Sequence, residues 1–248
     1  MIDLHAHVLP GVDDGPRTLE EAVSILRAME SDGVTAVAAT PHVRDDYPTT
    51  VERMRSEVDV LCAAADDAGL SIRVLPGGEI DLARLGGLST EERVGFGLGG
   101  NPHLLLLEFP YVGWPLSLRE AVFRLRSAGV VPLIAHPERN RDVQVAPERL
   151  QDIVRGGAFV QVTATSVDGR LGRSSRRCAL RLIELGLAHV LASDAHAQTV
   201  RSSGLAAVAA ALGEIGTWMV SEVPRALLAS EALPSRPEQR RSQHWWQR

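Results

Sequence analysis

The sequence predicts an α/β fold in which parallel strands alternate with outer helices and close, or nearly close, into one barrel of about seven strands. Three observations carry this. Seven short apolar runs alternate with seven helix-like stretches, counting a weak one after Glu79. Runs such as Leu104-Leu105-Leu106-Leu107 are apolar throughout rather than alternating, as strands covered on both faces are. Six of the seven runs end in His, Asp or Glu, and in such folds ligands gather at the C-terminal strand ends.

The first strand contains Ile2-Asp3-Leu4-His5-Ala6-His7. A side-chain period of two turns His5 and His7 to the same side, and a turn rich in Gly and Asp, with Asp13 and Asp14, opens directly after them. Taken alone, this H-x-H pair suits hydrogen-bonded structural histidines as well as metal ligands. Thr18, with Glu21 three residues on, reads as a capping box, and Ala22, Ile25, Leu26 and Met29 extend a helix over 19–31 that stops near Gly33. The second strand, Ala36-Val37-Ala38-Ala39-Thr40, ends in Pro41-His42. Val51, Met54, Val58, Leu61, Cys62 and Ala65 give a helical rhythm over 50–68, which places Cys62 in the core. The third strand, 72–79, reaches Glu79 through Gly77-Gly78, and 86–100 is a Gly-rich loop without a phosphate-binding fingerprint.

The fourth strand puts Glu108 after four leucines, where a carboxylate is costly unless paired or bound to a cation. A helix near 117–128 leads to a fifth strand ending in His136, and a helix over 147–156 leads to a sixth, 158–164, whose end offers only Thr163 and Thr165. A helix over 174–185 precedes the seventh strand, which ends in Asp194-Ala195-His196. The barrel is expected to occupy 1–233, and the polar, basic stretch 234–248, with Trp245-Trp246, to be a disordered tail.

The whole-chain numbers narrow the partners. A formal net charge of -5 over 248 residues offers no basic face for nucleic acid. Two distant cysteines fit a reducing compartment, and no apolar run approaches the ~18 residues of a membrane helix. A strand beginning at residue 2 leaves no room for a signal peptide, so the expected location is the cytoplasm, and the expected protein is not an integral membrane protein.

His5, His7, His42, Glu79, Glu108, His136, Asp194 and His196 exceed the four bonds of one zinc ion and suit a cluster of two or three divalent ions with N/O ligands, for which manganese, iron and zinc are all compatible. Such a cluster activates water and polarises phosphoryl oxygens, which points to phosphate-ester hydrolysis. Arg139 and Arg201 lie on loops leaving the same rim and could grip phosphate.

These residues carry a resemblance. Asp3-Leu4-His5-Ala6-His7 with Leu9-Pro10-Gly11-Val12-Asp13-Asp14-Gly15, Ala39-Thr40-Pro41-His42, Gly78-Glu79, Leu107-Glu108-Phe109, Ala135-His136-Pro137-Glu138-Arg139-Asn140 and Ser193-Asp194-Ala195-His196 with Arg201 resemble the PHP (polymerase and histidinol phosphatase) superfamily. Within it they are similar to the bacterial CpsB/YwqE-like tyrosine-protein phosphatases of capsule and exopolysaccharide synthesis. The resemblance implies a distorted PHP-type (β/α)7 barrel and a trinuclear site, often loaded with manganese. It also implies attack of metal-activated hydroxide on phosphotyrosine, typically in the Tyr-rich tail of a bacterial tyrosine kinase. By the same resemblance the eight His, Glu and Asp residues are the metal ligands, Arg139 and Arg201 bind phosphate, and Asp14 helps protonate the leaving group. Val43 stands where relatives often carry a second His.

Rival readings are a histidinol-phosphate or other small-molecule phosphomonoesterase on the same barrel, a PHP exonuclease, and a non-catalytic metal- or phospho-partner-binding module; a homo-oligomer is compatible with each. A cysteine-based phosphatase is excluded, because the positions where its Arg should follow Cys62 and Cys178 are Ala68 and Glu184.

Overall fold

The computed structural model describes residues 1–196 and 204–238. In chain order the elements that build the barrel are β1 (Ile2–Ala6), α1 (Leu19–Ser31), β2 (Ala36–Ala39), β3 (His42–Arg44), β4 (Tyr47–Pro48), α2 (Val51–Asp67), β5 (Arg73–Leu75), β6 (Glu79–Asp81), α3 (Thr90–Gly95), β7 (Leu104–Glu108), α4 (Leu118–Ser127), β8 (Val131–Ile134), α5 (Arg141–Val145), α6 (Leu150–Arg155), β9 (Phe159–Thr163), α7 (Ala164–Val167), α8 (Arg173–Glu184) and β10 (Val190–Ala192). Helices α9 (Leu205–Leu212), α10 (Glu214–Thr217) and α11 (Val223–Leu228) follow, with a π-helical turn Trp218–Glu222 before the last.

The predicted barrel of parallel strands forms, but two of its seven staves are broken. One sheet runs β1-β2-β5 and a second runs β10-β9-β8-β7-β6-β3-β4. The chain passes from the first sheet to the second between β2 and β3, and again between β5 and β6. The breaks fall at Pro41 and at Pro76-Gly77-Gly78, where proline has no N–H for the ladder. Backbone bonds bridge the first gap: Thr40 N donates to Ala6 O at 2.9 Å and Glu79 N to Pro41 O at 3.0 Å. Gly78 permits the second, since a Cβ there would sit 2.8 Å from Phe96 and 3.0 Å from Val43. The ring closes where β1 meets the end of β10, with His7 N donating to Ala195 O and Asp194 N to His5 O, both at 2.8 Å. The antiparallel hairpin β3–β4, which pairs Val43 with Pro48 and Arg44 with Tyr47, was not anticipated.

The apolar runs behave as doubly covered strands: Leu104 to Leu107 are each at most 1% exposed. Helix α1 buries Ala22, Ile25, Leu26 and Met29 as its spacing predicts. Its capping box is half made, because Thr18 Oγ1 accepts from Glu21 N while the Glu21 carboxylate takes the Arg17 N–H instead. The complete box is Ser89/Glu92 on α3. The last helices seat Trp218, Met219 and Val223 in the core. Asn101 ties them to β7, its Nδ2 donating to Leu227 O at 2.9 Å.

The expected tail begins with residues that are held. Trp218 Nε1 donates to Pro234 O at 3.1 Å, and the Arg236 guanidinium donates to Ala188 O and Ile183 O at 3.1 and 2.5 Å. The basic segment from 239 onward, with Trp245-Trp246, lies outside the described residues.

Beside this strap, His189 is buried between Phe159 and Trp218, and its Nδ1 accepts from Val160 N at 3.2 Å, which requires the neutral ring. Burial, with the Arg236 charge adding, pushes the imidazole down to about 4. A base whose pKa is lower folded than unfolded contributes stability that is whole above about pH 6.5 and lost as pH falls towards about 4. His189 should therefore account for a loss on the order of 3 kcal/mol across that window. Urea unfolding as a function of pH checks this: His189→Asn should flatten the slope between those limits, and an unchanged slope would refute the assignment.

Candidate metal centre

Six of the seven strand ends expected from the sequence reach one buried cluster. β1 delivers His5 and His7, β3 His42, β6 Glu79, β7 Glu108, and the segments after β8 and β10 His136, Asp194 and His196. All eight are buried. Two of the three non-glycine residues with positive φ among the described residues are members, His136 at 31° and Asp194 at 51°. Left-handed backbone at the strand ends turns these side chains inward, strain of the kind that collects at functional sites.

Hydrogen bonds outside the cluster set the imidazole tautomers. Gln161 Oε1 accepts the His136 backbone N–H at 3.1 Å, so the same oxygen, 3.1 Å from His5 Nδ1, must receive a proton from that nitrogen. Asp13 Oδ2 takes the His7 Nδ1 proton at 2.6 Å, and Asp194 O lies 2.9 Å from His196 Nδ1. The Nε2 lone pairs of His5 and His7 consequently face each other at 3.3 Å. Around them lie more acceptors: Glu79 Oε1 is 3.3 Å from His5 Nε2, Glu79 Oε2 is 3.3 Å from His7 Nε2, and Asp194 Oδ1 is 3.5 and 3.6 Å from the pair. His42 Nδ1 and Glu79 Oε2, 2.9 Å apart, are both buried and make no hydrogen bond.

Imidazole and carboxylate donors that converge this closely fit divalent cations. Among the described residues, four overlapping sets have ligand atoms within 4.8 Å of one another: His7/Asp14/His42/His196, His5/Glu79/His136, His5/His7/Asp194 and His42/Glu79/Glu108. His5, His7, His42 and Glu79 each belong to two sets, an overlap suited to more than one ion. The donors are all nitrogen and oxygen, which favours manganese, iron or zinc over thiolate-seeking sites. Cys62 and Cys178 lie elsewhere, and burial pushes both thiols up, away from nucleophilic use.

The electrostatics without an ion show what the cluster asks for. Burial opposes charge on Glu79, yet His5, His136 and His42 hold its carboxyl well below the usual range. Burial would lower His5 and His7, but Glu79 and Asp194 raise the first and Asp13 and Glu79 the second. Glu108 goes the other way: burial and then Glu79 push it up to about 7. His136 falls to about 4 through burial and the Arg139 charge. Excess negative charge thus sits around Glu79 and Asp194, where protons or a cation must balance it.

Asp14 takes a place inside the first set, its Oδ1 3.2 Å from His196 Nε2 and 3.5 Å from His42 Nε2. Burial is outweighed there by His196, His7 and His42, which hold the carboxyl well below the usual range. Arg139 reaches the rim from the turn after His136. Its Nη2 donates to Asp194 Oδ2, and its Nη1 to the Tyr111 hydroxyl at 3.3 Å. Arg201 lies outside the described residues. Val43 points into the core, 2% exposed.

Several supporting residues went unread in the sequence. Gln161, fully buried, is the amide that orders His5 and the His136 backbone; a glutamine inside an apolar strand was the signal. Asp3 accepts from Ser193 N and His5 N at the barrel seam, and burial pushes its carboxyl up to about 6. Glu138, buried beside Arg139, receives Thr163 N and fixes the turn. Gly15 lets the Asp13 loop fold over β1, since a Cβ there would meet His7 O at 2.8 Å.

Known proteins share this architecture. CapC from Staphylococcus aureus is 34% identical over 204 residues, 81% of this chain and 79% of that one. YwqE from Bacillus subtilis, a tyrosine-protein phosphatase, is 31% identical over 252 residues, 96% of both. A crystal structure from the set of B. subtilis YwqE and Streptococcus pneumoniae CpsB, described as unique metal-dependent tyrosine phosphatases, superposes with a TM-score of 0.84 at 30% identity, over 97% of this chain and 100% of that one. An organophosphorus hydrolase mutant, 14% identical with a TM-score of 0.57 over 92% of each chain, shares the fold alone. The family model for capsular polysaccharide synthesis, CpsB/CapC, matches residues 1–223, so the chain belongs to the CpsB/CapC family.

Proposed function

We propose that this chain is a metal-dependent protein-tyrosine phosphatase, acting in the control of capsule or exopolysaccharide synthesis. The observation that carries the reading is the buried ring of eight His, Glu and Asp donors with an arginine at its rim. The names of its relatives agree: YwqE and the streptococcal CpsB proteins are tyrosine-protein phosphatases. We take the ligands to be His5, His7, His42, Glu79, Glu108, His136, Asp194 and His196, joined by Asp14, and the load to be three divalent ions, with Mn2+ first and iron or zinc as alternatives.

Such ions, when bound, supply a hydroxide nucleophile at neutral pH and polarise the phosphoryl oxygens. The chain's own residues do the rest. Asp13, Gln161 and the Asp194 carbonyl hold His7, His5 and His196 in the tautomer that turns the Nε2 lone pair to the cluster. Arg139 presents a guanidinium fork to the phosphate oxygens and to the charge that develops on them, with Arg201 as its proposed counterpart. The natural substrate is proposed to be the Tyr-rich tail of a bacterial tyrosine kinase, met in the cytoplasm. Among the described residues no helix is long and apolar enough to cross a membrane.

Phosphate release from a phosphotyrosine peptide and from histidinol phosphate, measured side by side on chelated and manganese-restored protein, tests the reading. Release should occur from the peptide, require manganese and be absent with histidinol phosphate; release from histidinol phosphate alone would overturn the substrate class. Asp13→Asn should weaken manganese binding by about 10- to 100-fold in calorimetric titration, since it removes the anchor of His7 and no ligand; unaltered affinity would show that the His7 tautomer does not matter. Arg139→Lys keeps the charge and loses the fork, and should lower kcat/KM by about a hundredfold with manganese content preserved. Wild-type kinetics would return Arg139 to a structural ion pair.

A further inference from the structure

The chain has two tyrosines, and the fold brings both to the donor cluster. They are placed differently. Tyr47, on the β3–β4 hairpin, stacks on His42 with centroids 5.7 Å apart, lies 5.2 Å from the Arg44 guanidinium and is half-buried. Tyr111 stands between β7 and α4. Its hydroxyl accepts from Arg139 and its ring tilts over His136 at 5.9 Å, yet the residue is 44% exposed.

The loop that carries Tyr111 is held. Asn140 Nδ2 donates to Pro110 O and Gly113 O at 2.7 and 2.9 Å, Arg141 N to Tyr111 O at 2.9 Å, and Gly113 N to Asp142 Oδ2 at 3.0 Å. Arg149 covers Trp114 at 4.5 Å. On this loop Val112 and Leu116 are exposed, and Val145 projects from α5, to which the loop is tied. Four of the seven large exposed apolar side chains among the described residues therefore lie on this loop and on the helix it is tied to. Apolar surface that is fixed, exposed and beside convergent polar groups marks a place where a ligand packs.

We propose that Tyr111 makes the centre select aryl over alkyl phosphate esters, its ring packing against the phenyl ring of the ester whose phosphate Arg139 grips. Val112 and Leu116 then receive the apolar residues beside the phosphotyrosine of a substrate peptide. The inference rests on the phosphotyrosine reading given above and adds the element that recognises the ring. The geometry suits it: the Arg139 guanidinium carbon is 6.0 Å from the Tyr111 centroid, so a phosphate at that arginine brings its ester group alongside Tyr111. Offset and edge-on ring pairs are favourable at centroid separations of about 4.5–7 Å.

The test uses ligands whose P–C bond cannot be hydrolysed. Phenylphosphonate and methylphosphonate are titrated calorimetrically into the full-length, manganese-loaded protein and its Tyr111→Phe and Tyr111→Ala variants. Both variants lose the hydroxyl that meets Arg139, and only the second loses the ring. The phenyl-to-methyl preference should stay within about twofold in Tyr111→Phe and fall about three- to tenfold in Tyr111→Ala, the range of one ring pair. Equal loss of both phosphonates, or equal preference in the two variants, overturns the proposal. A Val112→Ser/Leu116→Ser variant should raise KM for a phosphotyrosine peptide and leave phenylphosphonate affinity as it was; an unchanged KM removes the peptide part. A wild-type protein that shows the phenyl preference but releases no phosphate from the peptide would sink the phosphatase reading and leave Tyr111 as the selector of the ring.

Discussion

Everything in this molecule is arranged around a carboxylate shut away from bulk solvent. Glu79 is buried, and its two oxygens are shared among four imidazoles, His5, His7, His42 and His136, at 2.8 to 3.3 Å. A dry carboxylate is tolerable only where positive charge or donated protons are supplied at close range. The strands therefore have to end together, with their last side chains within a few ångströms, or the charge is stranded. That requirement explains why the chain accepts left-handed backbone at His136 and Asp194 and breaks in two staves.

The breaks are where backbone and chemistry meet. In an unbroken parallel stave, side-chain direction follows from the ladder, and His42 and Glu79 would take whatever register their neighbours imposed. Pro41 and Pro76 release the ladder just before those residues, and Gly78 lets the freed segment press against Phe96 and Val43. β3 and β6 then restart in register with each other, His42 opposite Glu79. The pairing that places an imidazole 2.9 Å from a carboxylate is thus set by main-chain hydrogen bonds around a gap, and not by the side chains alone.

Strand ends and helix faces were legible because burial imposes a period on the sequence. Leu104 to Leu107 could only be a covered strand, and the spacing of Ala22, Ile25, Leu26 and Met29 only a helix face. The positions that converge in the cluster were legible for a related reason: a His or Glu that ends an apolar run has few cheap explanations. What stayed hidden lacked a period. The β3–β4 hairpin is made of three- and two-residue strands, too short for alternation to register. The Thr18 box failed because Glu21 found a nearer partner in the Arg17 N–H, a competition that composition cannot rank. Gln161 sits in a run that looked wholly structural, and its value appears only when β9 lies beside β8 and across the barrel from β1. Pro234 and Arg236 read as tail because their partners, Trp218, Ala188 and Ile183, are bare carbonyls and one indole N–H.

The same charge logic links the buried cluster to the rim. Asp194 divides its oxygens: Oδ1 lies within 3.6 Å of nitrogens of His5, His7 and His196, while Oδ2 is held by Arg139. Arg139, ahead of the imidazoles, holds that carboxyl well below the usual range, against its burial. A carboxylate so neutralised is a weaker donor than a free one. Asp194 thus joins the rim to the cluster, one oxygen facing the imidazoles and the other held by the arginine, so the turn after His136 and the end of β10 are tied together by charge as well as by the barrel.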